Sequence, residues 1–457
     1  MNTKPDVIII GAGLTGLSLA HFLKKAGKKP LVLEKENNSG GVIATTAENG
    51  FVFEKGPTTG VLSTPEIARL FEDLDGRCTL ETADTKAAKR YILKNNKWTA
   101  LPSGPVSAVT TPLFTLNDKF RILGEPFRKP GNDPDETVAQ LVRRRMGVSF
   151  LNYAVNPFVA GVYAGDPEKL VTRYALPKLY NLEQKYGSFV KGSFGKAREK
   201  KTEVEKKATR AVFSVKAGLG NMINALTDSI SKGNIITGCE NITVKPLSKG
   251  YSVSFRNNNG ELHEVDAMNV VTTTGGYALG EILPFIPADK MEKITSLTYA
   301  KVVQAGVGYK RWSGMPLDAF GGLVPAVEKK KILGILFPSA IFECRAPEGG
   351  ALLSVFLGGI RNPELYESSD SEITDIILSE ISGTLYNKNT PDLIRIHRYV
   401  HAIPQYEITS GARFEAIRQI QEAHPGLILG GNIRDGIGMA DRVKQAKNIA
   451  DLITING

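Results

Sequence analysis

Gly11, Gly13 and Gly16, with Ala12, Leu14 and Thr15 between them and Glu34 further on, have the types and spacing to do chemistry. A G-x-G-x-x-G turn can seat a dinucleotide pyrophosphate. Gly11 permits a tight turn, Gly13 lets phosphate approach the main chain, and Gly16 lets a helix lie close to a strand. An acid about 20 residues beyond the glycines accepts a hydrogen bond from a ribose hydroxyl. Glycines alone would be a weak signal, and the elements around them supply the rest. Val7 to Ile10 is a β-branched run that reads as a buried parallel strand. Leu14, Leu17, Leu19, Ala20 and Leu23 suit a helix, which Gly27 closes. Leu31, Val32 and Leu33 form the next strand and deliver Glu34 and Lys35.

A second glycine site separates a nicotinamide from a flavin dinucleotide. Gly40 and Gly41 follow Glu34 closely, and Phe51 to Glu54 leads to Lys55-Gly56-Pro57-Thr58-Thr59. The doublet lets the main chain pass beside a longer cofactor, which nicotinamide dehydrogenases do not require. The arrangement resembles the FAD-containing amine oxidase superfamily, with Val42 where that superfamily often carries a basic residue. Near the end, Pro425 to Asn432 reads as a strand closing on glycines, followed by a loop to Gly438 and a helix from Met439 to about Ile453. The N-terminus of that helix would favour an anionic reduced flavin. No cysteine lies nearby, so the flavin is expected to be held without a covalent bond.

The bulk properties bound the rest. The 457 residues exceed one simple core, so two or three domains are expected. Lys and Arg number 57 against 47 Asp and Glu, a net charge of +10 that suits an anionic substrate or a lipid surface. Nucleic acid is not expected, because no stacking platform accompanies the charge. Cys78, Cys239 and Cys344 are far apart, which fits a reducing cytoplasm and neither a disulfide framework nor a thiolate zinc site. Met1 to Pro5 is too short and polar for a signal peptide. No apolar run reaches the ~20 residues of a membrane span.

Between these landmarks, Ser63-Thr64-Pro65-Glu66 starts a helix with Ile67, Leu70, Phe71 and Leu74 inward. Arg90 to Leu93 and Trp98 to Leu101 form a hairpin around a polar turn, and Arg90 taken alone is a surface charge. From Ser103 the chain turns helical and basic. Val106 to Phe114 is apolar. Val138, Leu141, Val142 and Met146 make one helix face and Arg143, Arg144 and Arg145 another. Asn156 to Pro167 reads as a loop punctuated by Gly161 and Gly165, and the charged run Lys185 to Arg210 as a solvated or disordered loop, with a membrane-surface patch as the alternative. Val270 to Thr274 returns to the nucleotide domain. Lys301–Tyr309, Ile332–Phe337 and Ala351–Leu357 make strands of a second sheet. His397 and His401 could pair on a metal if helical, but Tyr399 and Val400 suggest a strand, and no metal is expected. There is no G-x-S-x-G, no P-loop and no acid pair at a telling spacing.

Taken together, KRYILKNNKWTALPSGP, NPFVAGVYAGDPEKL, FGGLVP, LGILFPSAIFECRAPEGG, HAIPQY and HPGLILGGNIRDGIGMADRVKQA resemble the oxygen-dependent, FAD-containing protoporphyrinogen oxidase family of haem biosynthesis. The resemblance covers nearly the whole chain, and the GVYAGDP segment sets it apart from other amine oxidases. It implies an α/β fold: a Rossmann-like FAD domain (1–80, 211–275, 405–457) interleaved with an α+β substrate domain (81–105, 276–404) and a helical membrane-associating domain (106–210). It implies six-electron oxidation of a porphyrinogen, with the flavin as acceptor and oxygen as final oxidant. By matching position, Gly11 to Gly16, Glu34, Lys35, Gly41, Val42, Gly56, Pro57, Thr58, Thr59, Val244, Ile437, Gly438 and Met439 would contact FAD. So would Tyr399, where relatives often carry tryptophan. Arg90, Gly161 and Phe320 would contact substrate, and no catalytic base is assigned. The resemblance also implies a cytoplasmic enzyme, peripheral on the inner face of the cell membrane, and leaves a homodimer open. The same motifs fit a coproporphyrinogen III oxidase, whose substrate has two more carboxylates. A binding protein of the same architecture, such as a Rab dissociation inhibitor, would lack the chemistry.

Overall fold

A computed structural model of the chain describes residues 4–200 and 202–456. Lys201, within the basic run, and Met1 to Thr3, within the leader reading, lie outside the described residues. The first glycine motif sits on a five-stranded parallel sheet in the order Ile235–Ile236, Pro30–Leu33, Val7–Ile10, Asn269–Thr272, Leu427–Leu429. Val7 to Ile10 is buried along its whole length because both neighbours and both faces are covered. On one face lie the helices Leu14–Lys25, Gly220–Ile230 and Met439–Asn456, which share one apolar core with Val7 and Ile9. The other face meets Leu279, Ile417 and a three-stranded antiparallel sheet, Glu240–Pro246, Tyr251–Arg256, Leu262–Ala267. The Leu14–Lys25 helix ends as expected. Ala26 caps it and Gly27 follows at φ +81°.

A seven-stranded sheet forms the second layer, in the order Leu393–Pro404, Tyr299–Tyr309, Ala351–Gly358, Ile332–Leu336, Ala319–Leu323, Lys89–Lys94, Lys97–Ala100. The three strands expected there are present, and the Arg90 hairpin joins their edge. Its turn residues Asn95 and Asn96 have φ of 51° and 59°, the left-handed pair that a two-residue hairpin takes. The helix Asp370–Leu385 covers one face through Ile373, Ile377 and Ile381.

Residues 103–210 are mainly helical, and three readings of the sequence are corrected there. Asn156 to Tyr163 is a helix, not a loop. Pro157 stands in the first turn, where its missing N–H costs nothing, and Val159, Ala160 and Tyr163 are buried. Ala164 ends the helix at φ +46°. The charged run also folds, into the helices Pro177–Tyr186, Phe189–Arg198 and Glu203–Lys206. Finally, Arg145 does not share a face with Arg143 and Arg144 but is buried with Leu141 and Val142. It lies four residues after Leu141, so helical periodicity gives it the apolar face. There it is 0% exposed and its guanidinium meets Glu125 at 2.8 Å and Glu183 at 3.1 Å. Ser188 Oγ and the N–H groups of Phe189 and Val190 also donate to Glu125. Burial raises the Glu125 pKa, but these donors and Arg145 outweigh it and hold the carboxyl below its ordinary range.

Candidate active site

The glycine cradle is built as its sequence requires. A Cβ on Gly16 would stand 2.0 Å from the Gly11 carbonyl oxygen, so only glycine lets the first turn of the helix lie this close to the strand end. Gly13 is different, because a Cβ on it would meet nothing within 4 Å. The second glycine site folds against this opening. Gly40 N–H donates to the Ala12 carbonyl at 2.8 Å, and a Cβ on Gly41 would stand 3.6 Å from the Gly13 Cα. Glu34 reaches back to accept the Ala12 N–H at 2.6 Å. Gly11 to Gly16, Glu34 and Gly41 are thereby drawn together at the carboxyl end of the parallel strands, the edge at which this kind of sheet takes dinucleotides. Leu14 and Thr15 are buried helix residues, and Lys35 and Val42 are exposed. The carboxyl ends of the next two strands close the same rim. Thr273 Oγ1 donates to the Gly11 carbonyl, and a Cβ on Gly431 would lie 2.9 Å from the Thr273 carbonyl oxygen. These residues fit a dinucleotide.

Further along, a Cβ on Gly56 would press on the Val42 carbonyl oxygen at 2.1 Å, which draws the segment to Thr59 against the second glycine site. Tyr399 Oη donates to the Lys55 carbonyl at 2.8 Å. Thr58 Oγ1 donates to Ser354 Oγ at 3.3 Å. Pro57 and Thr59 are half-buried beside them. Val244 is buried in a core that also holds Leu31 and Leu33. Ile437, Gly438 and Met439 open the last helix, with Gly438 N–H donating to Asp441 at 3.2 Å. His397 and His401 lie on a strand, apart from each other: His397 stacks on Phe53 and His401 on Tyr277.

Of the three proposed substrate residues, Arg90 and Phe320 lie on neighbouring strands of the second sheet, and Gly161 lies on the helix Asn156–Tyr163. The Arg90 guanidinium lies 5.8 Å from the centre of the Phe320 ring, and Arg90 is in register with Gly321. Three residues along, Leu323 abuts Gly161, where a Cβ would meet its Cδ2 at 2.5 Å. Among the described residues no carboxylate pairs with Arg90, which is exposed.

Sequence reasoning missed a buried polar cluster beneath the Lys55–Thr59 segment. Glu54 Oε2 accepts from Thr45 Oγ1 at 2.6 Å and Oε1 from the Leu219 N–H at 2.8 Å. Gln304 donates to the Glu54 carbonyl and to Ser354. Arg345, 3% exposed, pairs with Glu81 at 2.9 Å and leaves one terminal nitrogen unpartnered. Burial pushes the Glu54 carboxyl up to about 7, against the pull of Thr45, Leu219 and Arg345. An enclosed cavity of about 10 Å³, room for one water, lies among Glu54, Thr58, Arg345 and Ser354. No local pattern announces this cluster, since a lone acid at the end of a strand is common.

Residues 14–454 match the family described as flavin containing amine oxidoreductase. The chain is 30% identical to protoporphyrinogen oxidase 2, chloroplastic/mitochondrial, of Arabidopsis thaliana, over 98% of this chain and 93% of that one. It is 25% identical to coproporphyrinogen III oxidase of Bacillus subtilis, over 99% and 98%. Its fold matches a crystal structure of a candidate protoporphyrinogen oxidase from Exiguobacterium sp. 255-15 with a TM-score of 0.82, at 21% identity and full coverage of both chains.

Proposed function

The chain belongs to the flavin-containing amine oxidoreductase family and is an FAD-dependent oxidoreductase, and from that premise we propose that it oxidises protoporphyrinogen IX to protoporphyrin IX with oxygen as acceptor, in haem biosynthesis. The observation that carries this reading is Arg90 set over the Phe320 ring without a carboxylate partner among the described residues. A porphyrinogen offers flat apolar surface and propionates. An aromatic face with an adjoining free guanidinium answers both, because the guanidinium grips a carboxylate bidentately. Gly161 would meet the macrocycle through its main chain, since Leu323 fills the space on its side-chain side. FAD, when bound, supplies the hydride acceptor. The chain's own task is to orient the substrate and exclude water, and no side chain is assigned to proton transfer. The dinucleotide contacts are Gly11 to Gly16, Glu34, Lys35, Gly41, Val42, Gly56 to Thr59, Val244, Tyr399 and Ile437 to Met439, with the flavin held non-covalently. Residues 1–80, 211–275 and 405–457 are assigned to the FAD domain, 81–105 and 276–404 to the substrate domain, and 106–210 to the helical domain.

Coproporphyrinogen III is the second reading, favoured by relatives of both kinds that span the chain. Anaerobic mixing of the holoenzyme with each porphyrinogen tests both. Flavin bleaching by protoporphyrinogen supports the first, bleaching by coproporphyrinogen alone the second, and bleaching by neither overturns both.

No helix among the described residues is long and apolar enough to cross a membrane. The helical segment does expose Val106, Phe120, Leu123 and Phe127, the last at 87%, next to Lys119, Arg121, Arg128 and Lys129. We assign this face to reversible peripheral binding on the inner, anionic face of the cell membrane from the cytoplasm. Sedimentation with anionic liposomes should fall as salt screens the charges. No sedimentation at low salt would refute it.

A further inference from the structure

The loop from Gly431 to Gly436 has all six of its carbonyl groups turned inward onto buried side chains. Arg442 donates to the carbonyls of Gly431, Arg434 and Asp435, the last two at 2.8 Å. Tyr406 Oη meets those of Asn432 at 2.9 Å and Gly436 at 3.0 Å. Arg413 Nε donates to that of Ile433 at 3.0 Å. Left-handed backbone at Gly431, Asp435 and Gly436, with φ of 85°, 63° and 93°, permits this turning. Gly431 N–H donates to Gln445, whereas the N–H groups of residues 432–437 have no partner among the described residues.

Two buried positive charges stand behind the loop. Arg413 is 0% exposed and Arg442 7%, and neither forms an ion pair with a carboxylate among the described residues. Arg413 leaves one terminal nitrogen, and Arg442 its Nε, buried without a partner. Arginine keeps its proton in proteins, so both sites carry charge. A buried unpaired cation is costly, and one use for it is to hold negative charge nearby. The loop lies at the carboxyl edge of the parallel sheet, Gly431 against Thr273, and Thr273 against the glycine turn that starts at Gly11. Main-chain N–H groups left without an acceptor among the described residues, with cations behind the same loop, make that edge of the sheet positive.

We propose that Arg413 and Arg442 are positioning residues that turn the 431–436 carbonyls inward and set a positive field on the flavin, favouring its reduced, anionic state. The inference rests on the reading of Ile437 to Met439 as flavin contacts. It extends that reading from contact to redox tuning: two electrons and a proton leave the substrate as hydride, and the negative charge the flavin gains is stabilised by fixed cations at no reorganisation cost.

The test is the midpoint potential of FAD in the holoenzyme, measured by anaerobic dye equilibration. Arg442→Gln keeps hydrogen-bonding capacity but loses the charge, and should favour oxidised flavin about tenfold, or about 30 mV lower for a two-electron couple. Asp435→Asn removes an exposed negative charge, and its left-handed backbone suits asparagine. It should move the potential the opposite way. A role confined to folding would change stability and FAD affinity without this opposition of sign. An unchanged or lowered potential in Asp435→Asn overturns the proposal even if Arg442→Gln fails to fold. An unchanged potential in a folded Arg442→Gln also overturns it. Ile437→Ala separates the two layers of the argument. A shifted flavin absorption spectrum supports the loop's place at the flavin, and an unshifted one overturns that placement, whatever the charges do.

Discussion

Replacing Glu54 by glutamine should make stability less dependent on pH. Glu54 is 6% exposed, and burial raises its carboxyl from the ordinary 4.5 to about 7. Between those two values the unfolded chain has released this proton while the folded chain keeps it. Stability from this group is therefore complete below pH 4.5 and is lost as pH rises to 7, beyond which the slope ends. The loss amounts to roughly 3 kcal/mol, at 1.36 kcal/mol for each pKa unit. Glutamine reproduces the protonated group, its carbonyl accepting the Leu219 N–H and its amide donating to Thr45 Oγ1. Wild type and Glu54→Gln should thus be nearly equal at pH 4.5, and at pH 8 the variant should be the more stable by a few kcal/mol. Urea unfolding of both holoproteins across pH 4.5 to 8 measures the difference, in which every other titrating group cancels. Parallel stability curves for the two proteins would refute the reasoning. They would mean that Arg345 keeps Glu54 ionised throughout.

Three further outcomes are expected. Gly13→Val should fold but emerge without FAD, since its side chain would enter open space at the cofactor mouth, whereas Gly16→Ala should impair folding itself. Yellow, active Gly13→Val protein would misplace the site. Arg90→Ala should keep FAD and lower kcat/KM about a hundredfold, roughly 3 kcal/mol, with partial recovery in Arg90→Lys; unchanged kcat/KM would assign the anchor elsewhere. Glu125→Ala should destabilise the protein by about 3 kcal/mol, because Arg145 would stay buried with Glu183 as its remaining carboxylate, and a thermal midpoint equal to wild type would contradict that.

The nucleotide-binding frame was legible in the sequence because its signals are local. A β-branched run, three glycines at fixed spacing, a period of 3.6 and an acid after the second strand each follow from chain geometry within a few residues. Three strands of the second sheet and the hairpin with its polar turn after Arg90 were legible for the same reason, whereas the short strand Ala319–Leu323 was not read. The helix at Asn156 was missed because its glycine and proline read as loop punctuation. The room that Gly161 leaves for Leu323, contributed by a distant strand, is what makes glycine fit there.

Charge was the hardest property to read, and tertiary structure decided it. Arg143, Arg144 and Arg145 look alike in a string, yet Arg145 is sealed against Glu125 and Glu183 while Arg143 stays exposed. Glu54, Arg413 and Arg442 carried no motif at all. A side chain's protonation and partners depend on desolvation and on groups brought from remote segments, and neither is encoded in the spacing of neighbours. By itself the sequence determined the glycine turn, the strands and helix around it, and the acid that follows. The folded chain alone determined which charges are buried, which are paired, and which are left without a carboxylate partner.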